Sequence, residues 1–254
     1  MNKKLIIGNW KMNPVTIDEA KQIAKKVQHL SPELKKTETV ICPPFVFIQV
    51  CSPKDRISNF HMGAQSVSKD EEGPHTGEVG AKILVNMGVE YVIVGHSEER
   101  ERGDTNEIVS KKIKIILDAG MKPVVCVGEK ARDTENGSHF EFLKQQIKET
   151  FADVPKKYAK DIVLAYEPVW AIGVSEPMSS DQIYEMTIFI RKVLSDIFDA
   201  SLAMKAVVLY GGSVNFRNAF DIITTGKVDG LLVGRESVNI TGFSELLKVV
   251  DTIS

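Results

Sequence analysis

A closed barrel of eight parallel strands alternating with helices, the (β/α)8 class of α/β proteins, is what this sequence predicts. Three observations predict it. Eight short apolar runs, rich in β-branched residues, recur along the 254 residues. Most are separated by segments with helical periodicity, and no linker-like or low-complexity stretch interrupts the series. Continuous rather than alternating hydrophobicity marks strands covered on both faces, as parallel sheets require. Eight such strands in about 250 residues fit one barrel, so residues 1–254 are expected to form a single catalytic domain. A doubly wound sheet shares the alternation, but it would carry a phosphate-binding fingerprint. Neither GxGxxG nor GxxxxGK(S/T) occurs.

The elements follow in order. LIIGN from Leu5 is the first strand. TIDEAKQIAKKVQHL follows, with Thr16 suited to the N-cap and acids in the first turn, where the helix dipole favours them. TVIC from Thr39 and FHMGAQ from Phe60 are the second and third strands. YVIVGH from Tyr91 is the fourth, and NEIVSKKIKIILDAG after it ends on Gly120, a residue fitted to a helix C-terminus. PVVCVGE from Pro123 and DIVLAYE from Asp161 are the fifth and sixth. SDQIYEMTIFIRKVLSDIF is a helix capped by Ser179 or Ser180. AVVLYGG from Ala206 and DGLLVG from Asp229 complete the eight.

Composition narrows the function. A formal net charge of -2 argues against nucleic acid and membrane surfaces as partners, while leaving room for a local basic site. No apolar run approaches the roughly 20 residues of a membrane helix, and the apolar stretch in MNKKLIIGNW is too short for a signal peptide. Three cysteines, Cys42, Cys51 and Cys126, form no CxxC pair. That usage fits a reducing cytoplasm and gives neither a disulfide framework nor a zinc cluster.

In a barrel of this class, chemistry sits at the C-terminal ends of the strands. The first run leads into GNWKMN, placing Asn9 and Lys11 there. The fourth leads into GHSEER, with His96, Ser97 and Glu98, and the sixth ends in Glu167, fenced by Pro168, Val169 and Trp170. The seventh and eighth end in YGGSV and LVGRES. Taken singly, each has a plain explanation: a solvated loop lysine, a hydrogen-bonded histidine, a strand-breaking Glu-Pro, a tight glycine turn. Five such features at the same end of the strands weaken that explanation. Glycine-rich turns after the last two strands offer N–H groups to phosphate, and Lys11 offers a charge. A carboxylate and an imidazole across the mouth suit proton abstraction beside a carbonyl, one taking the proton and the other polarising the oxygen. His29, His61, His75, His96 and His139 lack metal-ligand spacing, and no cofactor fingerprint occurs. The residues themselves carry the reading as far as a cofactor-free proton transfer on a small phosphorylated carbonyl compound.

The strings GNWKMN, GAQ, TGE, VGHSE, CVGE, AYEPVWAIG, YGGSV and DGLLVG, in this order from about residue 4 to residue 240, resemble the triosephosphate isomerase family. GNWKMN and YEPVWAIG in one chain are highly specific. The resemblance implies a TIM barrel that interconverts dihydroxyacetone phosphate and D-glyceraldehyde 3-phosphate in glycolysis and gluconeogenesis. It implies no cofactor and a homodimer or larger homo-oligomer. It casts Glu167 as the base, His96 as the neutral electrophile, Lys11 as the substrate-binding cation beside Asn9, and Glu98 as the partner of Lys11. Gly173, Ser213, Gly234 and Arg235 take the place of the backbone phosphate cradle. Pro168, Val169 and Trp170 take the place of the leading hinge of a lid, a feature known from this family itself. The loop SVSKDEEGPHTGE, with Thr76 at its tip, takes the place of the arm that reaches the neighbouring subunit.

The chain departs from the family pattern in several places. The lid reads AIGVSE where the family has AIGTGK. Glu99 replaces a usual arginine, Ser66 a usual asparagine, and RERGDTN is about one residue short. Arg235 replaces the second glycine of the phosphate turn. There the backbone N–H is expected to face the ligand, with negative φ and the side chain turned to the rim. Two alternatives stand beside the isomerase: another phosphate-binding barrel enzyme, and a catalytically silent phosphosugar-binding protein. A Schiff-base lysine inside a middle strand would favour the first, and VVCVG and IVLAY contain none. Loss of Glu167, His96 or Lys11 would favour the second, and all three are present.

Overall fold

The computed structural model describes residues 3–132, 136–171 and 178–253. Its strands are β1 (Lys4–Asn9), β2 (Thr37–Cys42), β3 (Phe60–Ala64), β4 (Val89–Val94), β5 (Lys122–Val127), β6 (Val163–Tyr166), β7 (Val207–Tyr210) and β8 (Gly230–Val233). All pair in parallel, each with its sequence neighbours, and β8 closes on β1 through Leu5↔Gly230. The helices are α1 (Ile17–Leu30), α2 (Phe45–Cys51), α3 (Ala81–Asn86), α4 (Ser97–Glu101), α5 (Asn106–Asp118), α6 (Ser138–Thr150), α7 (Ser180–Ile197), α8 (Ala200–Ala203), α9 (Ala219–Thr224) and α10 (Ile240–Asp251). The (β/α)8 barrel expected from the alternation is the fold observed.

Strand geometry sends successive side chains to opposite faces, and this splits the core in two. Inward residues such as Leu5, Ile7, Val40, Ile93, Val124 and Leu209 fill the barrel. Outward neighbours such as Ile6, Ile41, Val92, Val125 and Leu231 pack beneath the helices. Continuous apolar runs are therefore what both layers need. Gly230 shows how tightly the barrel closes: a Cβ there would lie 1.8 Å from the Leu5 carbonyl oxygen.

Local signals set the helices. Thr16 accepts the Glu19 N–H at 3.3 Å and caps α1. Gly120 leaves α5 with φ +78°, a conformation glycine takes without a Cβ penalty. Ser179, not Ser180, caps α7, in a reciprocal box with Gln182. The strands end earlier than the apolar runs. β6 stops at Tyr166 and β7 at Tyr210, so Glu167 and the paired glycines lie just beyond them. The ladder still extends one residue, because the Glu167 N–H donates to the Val127 carbonyl at 2.8 Å. Glu167 is thereby held by backbone at the rim of the barrel.

Candidate active site

A cavity of about 390 Å³ opens at the C-terminal ends of the strands. Asn9, Lys11, His96, Glu167, Ser213 and Gly234 line it, with Arg235 beside them. Gly173 lies outside the described residues, as does the rest of the altered lid segment, 172–177.

Lys11 reaches the cavity through a costly backbone. Its φ is +53°, which costs a residue with a Cβ about 1 kcal/mol or more. Two side chains hold it there. The Asn9 Oδ1 accepts the Lys11 N–H at 3.1 Å, and the Gln65 amide donates to the Lys11 carbonyl at 2.8 Å. Gln65 also donates to the Cys42 carbonyl at 2.9 Å, tying the turn to the end of β2. The Lys11 Nζ then sits 2.7 Å from Glu98 Oε1. Burial pushes the Glu98 carboxyl up. The Lys11 hydrogen bond and charge, with His96 and Arg102, outweigh it and hold the group below its usual range.

His96 follows Gly95, whose φ of +68° turns the chain out of β4. Its ring caps α4, with Nδ1 accepting the Glu98 N–H at 3.2 Å. A backbone N–H only donates, so Nδ1 must accept. A neutral ring therefore carries its proton on Nε2. That nitrogen faces the cavity, 3.5 Å from Glu167 Oε1.

Glu167 is 4% exposed. Its Oε2 is buried with no hydrogen-bond partner among the described residues. Leaving a buried carboxylate oxygen unsatisfied is expensive, and such orphans belong where function needs them. Two glycines make room for the residue. A Cβ on Gly211 would lie 2.7 Å from Glu167 Cγ, and one on Gly128 would lie 1.8 Å from its carbonyl oxygen. The Cys126 thiol lies beneath, pushed well above its ordinary pKa by burial first and the Glu167 charge second. A larger cavity of about 590 Å³ reaches Glu167 from behind, past Ser97 and Cys126, but Asn9, Lys11 and Ser213 do not line it.

The remaining cavity residues come from the turns after the last two strands. The Ser213 hydroxyl donates to the Ala171 carbonyl at 3.1 Å, joining the β7 turn to the segment that follows β6. Gly234 leads into a short 3-10 helix, Arg235–Val238, pinned where the Ser237 hydroxyl donates to the Gly234 carbonyl at 2.7 Å. Arg235 is not among the residues with positive φ, and it is exposed. The expected absence of positive φ is found, while the exposed residue still lines the cavity.

Some contributors escaped sequence reasoning. Glu129, 1% exposed, accepts the Tyr166 hydroxyl and the Trp170 indole N–H at 2.9 Å each through one oxygen. Burial and this carboxylate push the Tyr166 phenol far up. The cluster anchors Trp170 to the end of β5. Its signal was there to read, since the fifth run, CVGE, also ends in a carboxylate. Gln65 closes the third run in the same way, and Cys126 read as plain core.

Residues 4–250 match the triosephosphate isomerase family. The chain is 39% identical to the triosephosphate isomerase of Endomicrobium trichonymphae, over 98% of this chain and 99% of that one. It is 36% identical to the triosephosphate isomerase of Dictyoglomus thermophilum, over 98% and 100%. It is 38% identical to that of Fusobacterium nucleatum, over 98% and 99%. With the barrel, the mouth and these matches together, the chain belongs to the triosephosphate isomerase family.

Proposed function

We propose that this chain interconverts dihydroxyacetone phosphate and D-glyceraldehyde 3-phosphate through an enediolate, with Glu167 as the base and His96 as the electrophile. The observation that carries the proposal is the pairing of an unsatisfied Glu167 oxygen with an imidazole whose Nδ1 is already engaged. The substrate phosphate rests on the N–H groups of the turns at Ser213, Gly234 and Arg235, and Gly173 completes the cradle. Lys11 adds positive charge and Asn9 supports it. Glu167 takes the proton from the carbon beside the carbonyl. The His96 Nε2–H donates to the carbonyl oxygen, where negative charge develops. The proton returns from Glu167 to the neighbouring carbon, and the carbonyl has then moved by one position. Glu98 steadies Lys11, so it acts by positioning. The sequence of steps asks for no cofactor.

The same reading makes the protein a homodimer or larger homo-oligomer. Met12 is 84% exposed, Val15 83% and Val46 79%, an apolar surface around the mouth. A second cavity of about 400 Å³, lined by Lys11, Phe45, Gln65, His96 and Glu99, opens beside it. It is sized for a loop tip, and the loop around Thr76 on a second copy is its proposed occupant. Three free, buried cysteines fit the proposed cytoplasmic setting. A coupled assay that follows glyceraldehyde 3-phosphate formation by purified protein tests the function. Turnover above the buffer rate is expected, and its absence with a folded protein would remove the assignment.

A further inference from the structure

Arg235 lines the cavity with an exposed side chain. The charges around the cavity are nearly all committed. Lys11 is tied to Glu98 at 2.7 Å. Glu167 contributes a negative charge inside. Glu236 lines the wall, and its carboxylate packs on Gly242 in the first turn of α10. Among the described residues, no hydrogen bond or ion pair holds the Arg235 guanidinium. The chain as a whole carries a formal net charge of -2. A doubly negative ester therefore approaches a cavity that holds the Glu167 carboxylate and, on its wall, the Arg235 cation, unpaired among the described residues.

We propose that the Arg235 guanidinium is a long-range electrostatic guide that draws the phosphate ester into the cavity, acting through its charge and not as a direct ligand. The proposal rests on the isomerase reading above. Exposure argues against direct ligation, because fixing a solvated arginine on the phosphate costs side-chain entropy that a long-range pull does not. Backbone N–H groups of the turn also stand ready for the oxygens. A solvated charge acting on two opposite charges at about 10 Å in water changes the encounter about threefold when the screening length is about 30 Å. When that length shrinks below about 8 Å, the effect falls under about 1.5-fold. Charges at a mouth act on association in this way.

The test measures kcat/KM for Arg235→Gln, Arg235→Lys and Arg235→Glu at ionic strengths of about 0.01 M and 0.3 M. At low salt the glutamine variant should lose about threefold and the glutamate variant about sevenfold, chiefly in KM, while the lysine variant stays near wild type. At high salt the four proteins should converge. Equal values at low salt would overturn the proposal. So would a loss of tenfold or more that survives high salt and is not rescued by lysine, since that is the signature of a bidentate phosphate ligand. If the wild type does not isomerise triose phosphate, the isomerase reading fails by itself. Affinity for inorganic phosphate, measured by calorimetry across the same proteins and salts, then decides the guide. The same ranking supports it, and a flat series overturns it.

Discussion

Both ends of this barrel carry histidine and glutamate, and the contrast between them separates chemistry from stability. At the N-terminal end, the His61 Nδ1 lies 2.9 Å from Glu90, with Glu38 3.9 Å from its other nitrogen. His61 packs edge-on against Tyr91, whose hydroxyl meets the Lys122 Nζ at 3.3 Å. Asp229 binds Arg191 at 2.6 Å and accepts the Val208 N–H at 2.8 Å. At the C-terminal end, His96 and Glu167 face each other with a buried oxygen left over, and Lys11 sits in strained backbone. The N-terminal groups answer one another. The C-terminal groups are held in place by the fold but lack the last partner, which is what a substrate supplies. A residue type does not mark a site, and an unpartnered buried atom marks one only where it meets a cavity, since Thr37 Oγ1, Thr39 Oγ1 and Glu129 Oε2 are also unpartnered among the described residues.

The largest effect expected is at the base. Glu167→Gln should lower kcat by at least about a thousandfold, at the strong end for a general base. Its melting temperature should hold or rise, because the substitution removes a buried charge with an unsatisfied oxygen. A kcat within about tenfold of wild type would make the two ends alike and break the comparison.

Lys11→Met comes next. On the proposed mechanism Lys11 serves both the substrate anion and the enediolate, so KM and kcat should worsen together, by about tenfold or more in kcat/KM. Damage confined to KM would reduce Lys11 to uniform binding. A melting-temperature shift with phosphoglycolate, a mimic of the enediolate, gives a second readout. The variant should lose much of that stabilisation.

The smallest effect belongs to the N-terminal end. The Glu90 carboxyl is held below its usual range, first by its hydrogen bond to His61, then by the charges of His61, Arg56 and Lys122 against the burial that raises it. A lowered folded pKa contributes stability above the unfolded value, lost as pH falls through the folded one. Glu90→Gln should therefore destabilise the protein modestly at neutral pH, by about 0.5 kcal/mol once solvent screening is counted. The gap to wild type should shrink as pH falls from the ordinary carboxylate range through the lowered folded value. kcat/KM should not change. A kinetic loss here would show that the N-terminal end reaches the chemistry.

Much of this was legible in the sequence. The eight runs gave the strands because a strand covered on both faces needs an unbroken apolar run, and all eight are so covered. Thr16 and Ser179 were legible because caps are local. Asn9, Lys11, His96, Glu98 and Glu167 stood out as polar residues at apolar strand ends. Glu129 was less legible, because its role lies in Tyr166 and Trp170, some 40 residues on, and only the folded chain joins them. The left-handed Lys11 and its support by Gln65 were not legible either, since a hydrogen bond across 54 positions leaves no local trace.

The central claim is that Glu167 carries a proton between two substrate carbons, and solvent deuterium tests it most directly. Dihydroxyacetone phosphate is incubated with the protein in deuterium oxide, and the product is read by NMR. A carboxylate base exchanges its proton with solvent, so the account predicts deuterium on the carbon that received the proton. It predicts none above the buffer rate with Glu167→Gln. Unchanged turnover and deuterium incorporation by the glutamine variant would contradict it.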